Sequence, residues 1–182
     1  MKLVSPPTDL DIRALAHATG HLAGQDVLSN YERLVHETQG LGAQNILNWE
    51  AKAELRQGGE GQGQVWLHLS LDTCLPLTCQ RCLGLADIAV NSARSFRFVG
   101  TEAEALEQDE EAEEDILVLD KHFNLAQLLE DEVLMALPLV PTHEVCPVPV
   151  KLEAVDAGFE EAAPVKPNPF AVLAALQKRQ TE

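Results

Sequence analysis

Two runs in which apolar and polar residues alternate without interruption constrain the fold of this chain most. They cover residues 49–56 and 65–72, and the glycine-rich segment 58–63 separates them. A period of two residues puts the apolar side chains of a run on one face of an extended chain, so each run predicts a half-buried strand. The flexible glycine segment between the runs predicts that the two strands pair as a hairpin.

The predicted sheet continues beyond this hairpin. Residues 75–82 read as extended, although Pro76 restricts them to a sheet edge or a bulge because proline cannot donate a ladder hydrogen bond. Apolar residues at positions 88, 90, 96 and 98 predict one or two further strands, and residues 116–119 predict another short one.

Helical patterns lie on both sides of these strands. Thr8 is a candidate N-cap for a first helix, and a capping box that begins at Ser29 opens a second helix that Gly40 ends. The clearest helix covers residues 124–137, with Asn124 as its N-cap. Its apolar stripe consists of Leu125, Leu128, Leu129, Val133, Ala136 and Leu137, whereas Glu130, Asp131 and Glu132 are predicted to lie mostly off that stripe.

These elements predict an α+β fold within a single domain of residues 1–146. An antiparallel sheet built from about residues 45–119 is expected to pack against the helix at 124–137 and against the N-terminal helices. Residues 147–167 are rich in proline and glutamate, and we interpret them as a linker.

A short C-terminal helix is predicted over residues 168–179. Asn168 is its N-cap and Pro169 occupies its first helical position, which proline favours. Phe170 and Leu173 lie on its apolar face. A capped helix after a linker is typical of a segment that docks on a partner, and folding back onto the parent domain is the alternative.

The charge of the chain limits its partners. It contains 13 Lys and Arg residues against 29 Asp and Glu residues, which gives a formal net charge of −16. A protein of this charge does not bind nucleic acid by electrostatics alone, because phosphate binding needs clustered basic side chains.

Nine of the acids lie between Glu102 and Asp115, where no basic residue occurs, so residues 101–115 are predicted to form a solvated acidic loop. The alternative for that loop is a charge decoy that mimics RNA toward a basic protein.

The sequence shows none of the signals that direct a protein into or across a membrane. The chain has no apolar run long enough to span a membrane, and its first residues lack the apolar core of a secretory signal. Its four cysteines without a leader indicate a reducing compartment. We therefore expect a cytoplasmic protein with no membrane contact.

Cys79 and Cys82 are the most conspicuous chemical feature of the sequence. Two thiols three positions apart in a turn can bind one zinc ion, with the remaining ligands supplied from elsewhere in the fold. His143 and Cys146 are the only other histidine and cysteine at short spacing, so a structural zinc site of these four residues is predicted, which leaves Cys74 outside it. Reduced thiols that only pack, or a redox dithiol, are the alternatives. No nucleophile elbow, P-loop or dinucleotide fingerprint occurs in the sequence.

Three segments that follow one another along the chain carry a family resemblance. They are residues 77–83 (Leu-Thr-Cys-Gln-Arg-Cys-Leu), the block 123–141 that ends in Ala-Leu-Pro-Leu-Val-Pro, and residues 166–173 (Lys-Pro-Asn-Pro-Phe-Ala-Val-Leu). Together with the acidic stretch between the first two, they resemble the bacterial YceD family, the large ribosomal RNA subunit accumulation proteins. The resemblance covers most of the chain.

This resemblance implies a non-enzymatic factor in ribosome biogenesis that supports the synthesis, processing or stability of large-subunit (23S) rRNA. The implied partner is a large-subunit precursor, reached through pre-23S rRNA, a basic ribosomal protein or both, and no DNA partner is expected. The candidate partner-binding residues are Arg81, Pro167, Asn168, Pro169, Phe170 and Leu173. Some relatives have a second close cysteine pair downstream, where this chain offers only Cys146, with His143 as a substitute.

Two other functions are weighed against this one. The first is an RNA-processing hydrolase that uses zinc at the cysteines, although the sequence offers no convincing general base near Cys79 and Cys82. The second is a zinc-stabilised protein-binding module without a ribosomal role.

Overall fold

The order of the strands across the sheet is the same as their order along the chain. A computed structural model describes residues 3–57 and 63–149. In this part of the chain five strands form one sheet, β1 (His21–Val27), β2 (Ile46–Gln57), β3 (Gly63–Thr78), β4 (Leu85–Val99) and β5 (Asp115–Val118). The first four are antiparallel neighbours, and β5 runs parallel to β4.

Helices accompany the sheet, and the class is α+β as predicted. In the described residues they are α1 (Ile12–His17), α2 (Glu32–Glu37), α3 (Glu102–Asp109) and α4 (Leu125–Met135), with one 3-10 turn at Leu28–Asn30. None of these described helices has the length and apolar character needed to cross a bilayer.

The β2–β3 hairpin is confirmed. Trp49 lies opposite Leu71 and Leu55 lies opposite Val65, so the apolar residues of both strands share one face. Beyond Asp72, β3 pairs with β4 alone, and Pro76 lies in this part, opposite Asp87. The expected edge position of Pro76 is therefore confirmed. The glycine-rich segment between the strands falls largely on residues 58–62, which lie outside the described residues.

Strands β3 and β4 are each longer than the sequence pattern indicates. The extended segment around Pro76 is the continuation of β3, and the one or two strands predicted between residues 88 and 98 are the single strand β4. The two strands pair from Val65 with Phe98 to Thr78 with Leu85, which makes this ladder the longest in the sheet.

Strand β1 is not predicted by any alternation in the sequence. Its central residue is Gly24, which lies opposite Trp49. A Cβ atom at Gly24 would come within 2.3 Å of the Val4 carbonyl oxygen and 2.8 Å of the Trp49 ring. The position therefore requires glycine for close approach, and this requirement interrupts the apolar pattern that would have indicated a strand.

Two N-caps were placed wrongly by the sequence pattern. Helix α1 begins after Asp11, whose side chain accepts a 2.8 Å bond from the Ala14 N–H, and not after Thr8. Leu10 is extended instead, because its N–H and C=O groups both bond to Phe123. No capping box occurs at Ser29, because Ser29 lies in the 3-10 turn, where its N–H bonds to the Ala43 carbonyl. Helix α2 begins after Tyr31, which makes no side-chain cap bond.

The core lies between one face of the sheet and the helices α1, α2 and α4. Strands β2, β3 and β4 contribute most of it, and the helices add their apolar stripes. Among the helical residues that are fully buried are Ile12, Leu34, Leu125, Leu129 and Val133. Asn124 caps α4 as predicted, with its side chain accepting a 3.0 Å bond from the Gln127 N–H.

Glu132 corrects the predicted stripe of α4, because it is buried with only 5% of its surface exposed. It faces β4, where the Ser92 hydroxyl donates to it at 3.3 Å and the Arg94 guanidinium lies 3.8 Å away. Glu130 is half-buried, the Asp131 side chain is more exposed, and both bind Arg33 of α2. Arg94 on β4 thus allows the Glu132 carboxylate to lie within the buried stripe of α4, although the apolar pattern alone would not place a carboxylate there.

The acidic stretch is solvated, but it is not a loop throughout. Its first eight residues form α3, none of which is buried. The Thr101 side chain caps the helix by accepting from the Glu104 N–H, and the Glu104 side chain accepts from the Gly100 N–H, one residue before the N-cap. Acids in the first turn also interact favourably with the helix dipole. Local capping therefore forms a helix where the lack of apolar residues had favoured a loop.

The predicted linker at 147–167 and the C-terminal helix at 168–179 fall on residues 150–182, apart from residues 147–149. Residues 150–182 lie outside the described part of the chain. The domain limits drawn from the sequence therefore stay a prediction.

Candidate metal centre

The turn that joins the two longest strands carries the first two candidate ligands. Cys79 follows the last residue of β3, and Cys82 comes shortly before β4. The turn is closed in both directions, because the Cys79 N–H bonds to the Gly84 carbonyl and the Leu83 N–H bonds to the Cys79 carbonyl, each at 2.8 Å. Leu83 takes a left-handed backbone conformation, with φ of +60°.

A second segment returns to this turn after helix α4. The Gln80 N–H donates to the Pro141 carbonyl at 2.8 Å. Two residues later in the chain, the Nε2 atom of His143 lies 2.8 Å from the Leu85 carbonyl. Proline at 138 and 141 prevents α4 from continuing, and the chain reaches the turn through residues that belong to neither a helix nor a strand.

The four residues predicted from the sequence meet at this point. The ligand atoms of Cys79, Cys82, His143 and Cys146 all lie within 4.8 Å of one another. Cys79 is buried, and the other three are half-buried. Cys74 lies elsewhere, within the β3–β4 ladder opposite Ala89. All four cysteines are free thiols.

The spacing of the donor atoms fits a tetrahedral zinc ion. With zinc–sulfur bonds of about 2.3 Å and zinc–nitrogen bonds of about 2.0–2.1 Å, tetrahedral edges measure about 3.8 Å between sulfurs and about 3.5 Å from sulfur to nitrogen. The Cys79 and Cys146 sulfurs are 3.9 Å apart, and the Cys82 sulfur is 3.4 Å from the His143 Nδ1 atom. Three thiols and one imidazole are also a usual donor set for structural zinc.

Hydrogen bonding selects the nitrogen that His143 can offer. A carbonyl oxygen is only an acceptor, so the Nε2 atom next to the Leu85 carbonyl must carry the proton. The neutral imidazole then presents the lone pair of Nδ1 toward Cys82. Such a bond from the other ring nitrogen is the usual way in which proteins orient a metal-binding histidine.

The thiols of the turn differ in acidity. Burial raises the pKa of the Cys79 thiol, but hydrogen bonds to its sulfur from the backbone of Cys82, His143 and Arg81 outweigh burial and hold that pKa at about 5. For Cys82 the Gly84 backbone lowers the pKa, whereas burial and the neighbouring Cys79 and Cys146 thiols raise it, and the net shift is upward. The lowered pKa of Cys79 favours its thiolate, which is the form that binds metal.

Arg81 points into this group of residues. Its Nε atom donates to the Cys146 sulfur at 3.1 Å, and its Nη2 atom donates to the His143 carbonyl and, at 3.3 Å, to the Glu144 carbonyl. The sequence marks Arg81 as a candidate partner-binding residue. The structure shows that its donors bond to the segment 143–146 of the same chain. The other candidates of that set, Pro167, Asn168, Pro169, Phe170 and Leu173, lie outside the described residues.

An apolar rim, which no predicted element includes, is formed by exposed residues that lie close to the ligands along the chain. It consists of Leu83, Leu85 and Val145, whose exposed fractions are 75%, 59% and 84%. Leu83 and Leu85 flank Gly84 in the turn, and Val145 precedes the ligand Cys146. Leucines on both sides of a glycine directly after a CxxC motif were the available signal.

Comparisons with known proteins match a range that contains the candidate metal centre. A model of the YceD family, described as large ribosomal RNA subunit accumulation protein YceD, matches residues 67–177. The large ribosomal RNA subunit accumulation protein YceD of Haemophilus influenzae is 47% identical over 58 residues, which are 31% of this chain and 33% of that protein. The matched part thus spans about a third of the length of this curated relative. No solved structure matches the chain.

Proposed function

Because the chain belongs to the YceD family of large ribosomal RNA subunit accumulation proteins, we propose that it supports accumulation of 23S rRNA by binding, as a non-enzymatic factor in ribosome biogenesis. The observation that carries this proposal is the family match over residues 67–177, which includes β4, α3, β5, α4 and the candidate metal centre. The name of the matched relative refers to the same role.

We assign a structural zinc ion to Cys79, Cys82, His143 and Cys146. When bound, zinc supplies four bonds that join the β3–β4 turn to the segment that follows α4. Support comes from the donor spacing and from the hydrogen bond that leaves the His143 Nδ1 atom free. Four protein donors close a tetrahedral site, whereas a catalytic zinc keeps one position open for water. The donor set therefore favours binding over the hydrolase alternative.

The proposed contact with the large-subunit precursor is a basic ribosomal protein. A net charge of −16 repels RNA phosphates and attracts a basic protein. The described helix α3 presents acids to solvent in its first turn, and none of its residues is buried. Such an encounter weakens as salt concentration rises, because exposed charges are screened within about 10 Å at 0.1 M salt.

The test is a pull-down of the tagged full chain from growing bacterial cells, with bound RNA and protein identified and zinc assayed. We expect pre-23S rRNA together with a basic large-subunit protein, and stoichiometric zinc. An aliquot treated with ribonuclease separates the two contacts, since a direct protein contact survives the treatment and an RNA-mediated one does not.

Two results would overturn this proposal. Recovery of neither precursor rRNA nor ribosomal protein would remove the ribosomal role and favour a binding module of another kind. Cleavage of purified pre-23S rRNA by the purified chain, abolished by a chelator, would replace binding with hydrolysis.

A further inference from the structure

The guanidinium of Arg81 lies between the two segments that carry the candidate ligands. Arg81 belongs to the β3–β4 turn, between Cys79 and Cys82, and all three of its recorded acceptors belong to the segment 143–146. Its Nε atom reaches the Cys146 sulfur at 3.1 Å. One side chain thus connects the half of the site on the turn with the half that returns after α4.

From this geometry we infer that Arg81 is a positioning residue, which docks the segment 143–146 on the turn before the metal arrives. Two carbonyl contacts, to His143 and Glu144, fix the backbone between the ligands His143 and Cys146. The contact to Cys146 orients the third sulfur. A site arranged in advance loses less conformational freedom when the metal binds. The inference rests on the zinc site of the proposed function.

Charge gives Arg81 a second effect on the same site. Zinc with three thiolates and one neutral imidazole carries one net negative charge. That charge lies in a chain that is already strongly acidic, and Glu144 is an exposed neighbour in the ligand segment. A guanidinium beside the Cys146 sulfur neutralises the excess charge and donates a charge-assisted hydrogen bond to the sulfur. Both effects favour the metal-bound form.

The test compares zinc affinity of full-length chains by competition with a chromophoric chelator. We expect Arg81→Ala to weaken zinc binding by about 10–100-fold, the usual loss when an outer-shell partner is removed. Arg81→Lys keeps the charge but cannot reproduce the fork of donors, so we expect only partial recovery. Arg56→Ala is the matched control, because this substitution removes the same charge at another place. Arg56 lies over the Trp66 ring, at 4.4 Å from the ring centroid.

A second readout separates positioning from simple destabilisation. In the metal-free chain, Arg81→Ala should increase hydrogen exchange of residues 143–146, while the β2–β3 hairpin keeps its protection. Unchanged zinc affinity and unchanged exchange in Arg81→Ala would overturn the inference while leaving the zinc site intact. An equal loss of affinity in Arg56→Ala would assign the effect to net charge and also overturn it. Absence of zinc from the wild-type chain would remove the zinc site itself, and the inference with it.

Discussion

Cys146 is the residue that best separates a metal-binding role from a packing role. Its sulfur is within 3.9 Å of the Cys79 sulfur, whereas Cys74 lies away from the cluster in the β3–β4 ladder. We expect Cys146→Ser to lose stoichiometric zinc and thermal stability, because a structural metal contributes folding free energy. A loss of only about 2 kcal/mol lowers the Tm by roughly 4–8 °C in a chain of this size.

The matched control is Cys74→Ser, which removes a half-buried thiol from the β3–β4 ladder, away from the cluster. Zinc content and the effect of a chelator on the Tm are measured for both variants. Zinc retained in Cys146→Ser, or lost equally in Cys74→Ser, would contradict the assignment and favour thiols that only pack.

Glu132 makes the stability of the protein depend on pH. Burial raises the pKa of this carboxyl, and Arg94 only partly opposes the shift. Below the pKa of the unfolded chain, about 4.3, the group is protonated in both states and has no effect. As the pH rises through the raised pKa of the folded state, ionisation destabilises the fold.

We therefore expect Glu132→Gln to stabilise the protein by about 1 kcal/mol at pH 7–8 and to have little effect near pH 4. The measurement is the Tm at a series of pH values. Glu130→Gln is the comparison, and it should lower the Tm, since Glu130 accepts bonds from the Arg33 side chain and backbone. A lower Tm for Glu132→Gln at pH 7 would show that the ion pair with Arg94 outweighs burial.

At the scale of elements, helix α4 depends on its N-cap. The Asn124 side chain accepts a bond from the Gln127 N–H, and the buried residues Leu125, Leu129 and Val133 fix the helix on the sheet. Asn124→Ala should cost about 1 kcal/mol, measured by urea unfolding. Asn124→Asp keeps an acceptor at the same place and should restore most of that loss. Equal losses in both variants would show that the cap is not the cause.

The elements that could be predicted from the sequence are those that depend on residues close together in the chain. The β2–β3 hairpin and α4 were predicted because alternation and capping lie within a few residues. Strand β1 and the start of α1 depend on distant contacts, those of Gly24 with Trp49 and of Leu10 with Phe123. Such contacts leave no local pattern in the sequence.

The candidate metal centre, too, could be predicted only in part from the sequence. The ligand set could be named because thiol and imidazole side chains are visible in the sequence as residue types. The direction of Arg81 and the exposure of Leu83 could not be predicted, because both depend on how the chain returns after α4. A motif thus predicts which chemistry is available, and the tertiary contacts decide where each neighbour points.

For the whole molecule, the segment 166–182 is proposed as the docking element. The basis is the helix predicted to start at Asn-Pro-Phe (168–170), with apolar residues at 170 and 173, and the family match extends to residue 177. We expect deletion of 166–182 to leave the thermal unfolding of the domain unchanged and to reduce cosedimentation with large-subunit precursors in sucrose gradients.

The matched control is a chain shortened only by residues 178–182, which lie beyond the family match. It should cosediment like the full chain. Equal cosedimentation of the 166–182 deletion and the full chain would remove the docking role from this segment. A large drop in Tm for the deletion would instead indicate that the segment packs on its own domain.

The proposed metal centre also fixes how far the chain can be stretched. It joins Cys79 to Cys146, which are 67 positions apart. At about 3.4 Å per extended residue, zinc bound at this site keeps roughly 230 Å of contour length inside a closed loop. A molecule pulled by its two ends would therefore yield that length only after the ligand bonds break. The mechanical extension of the protein would then report directly on whether the metal is present.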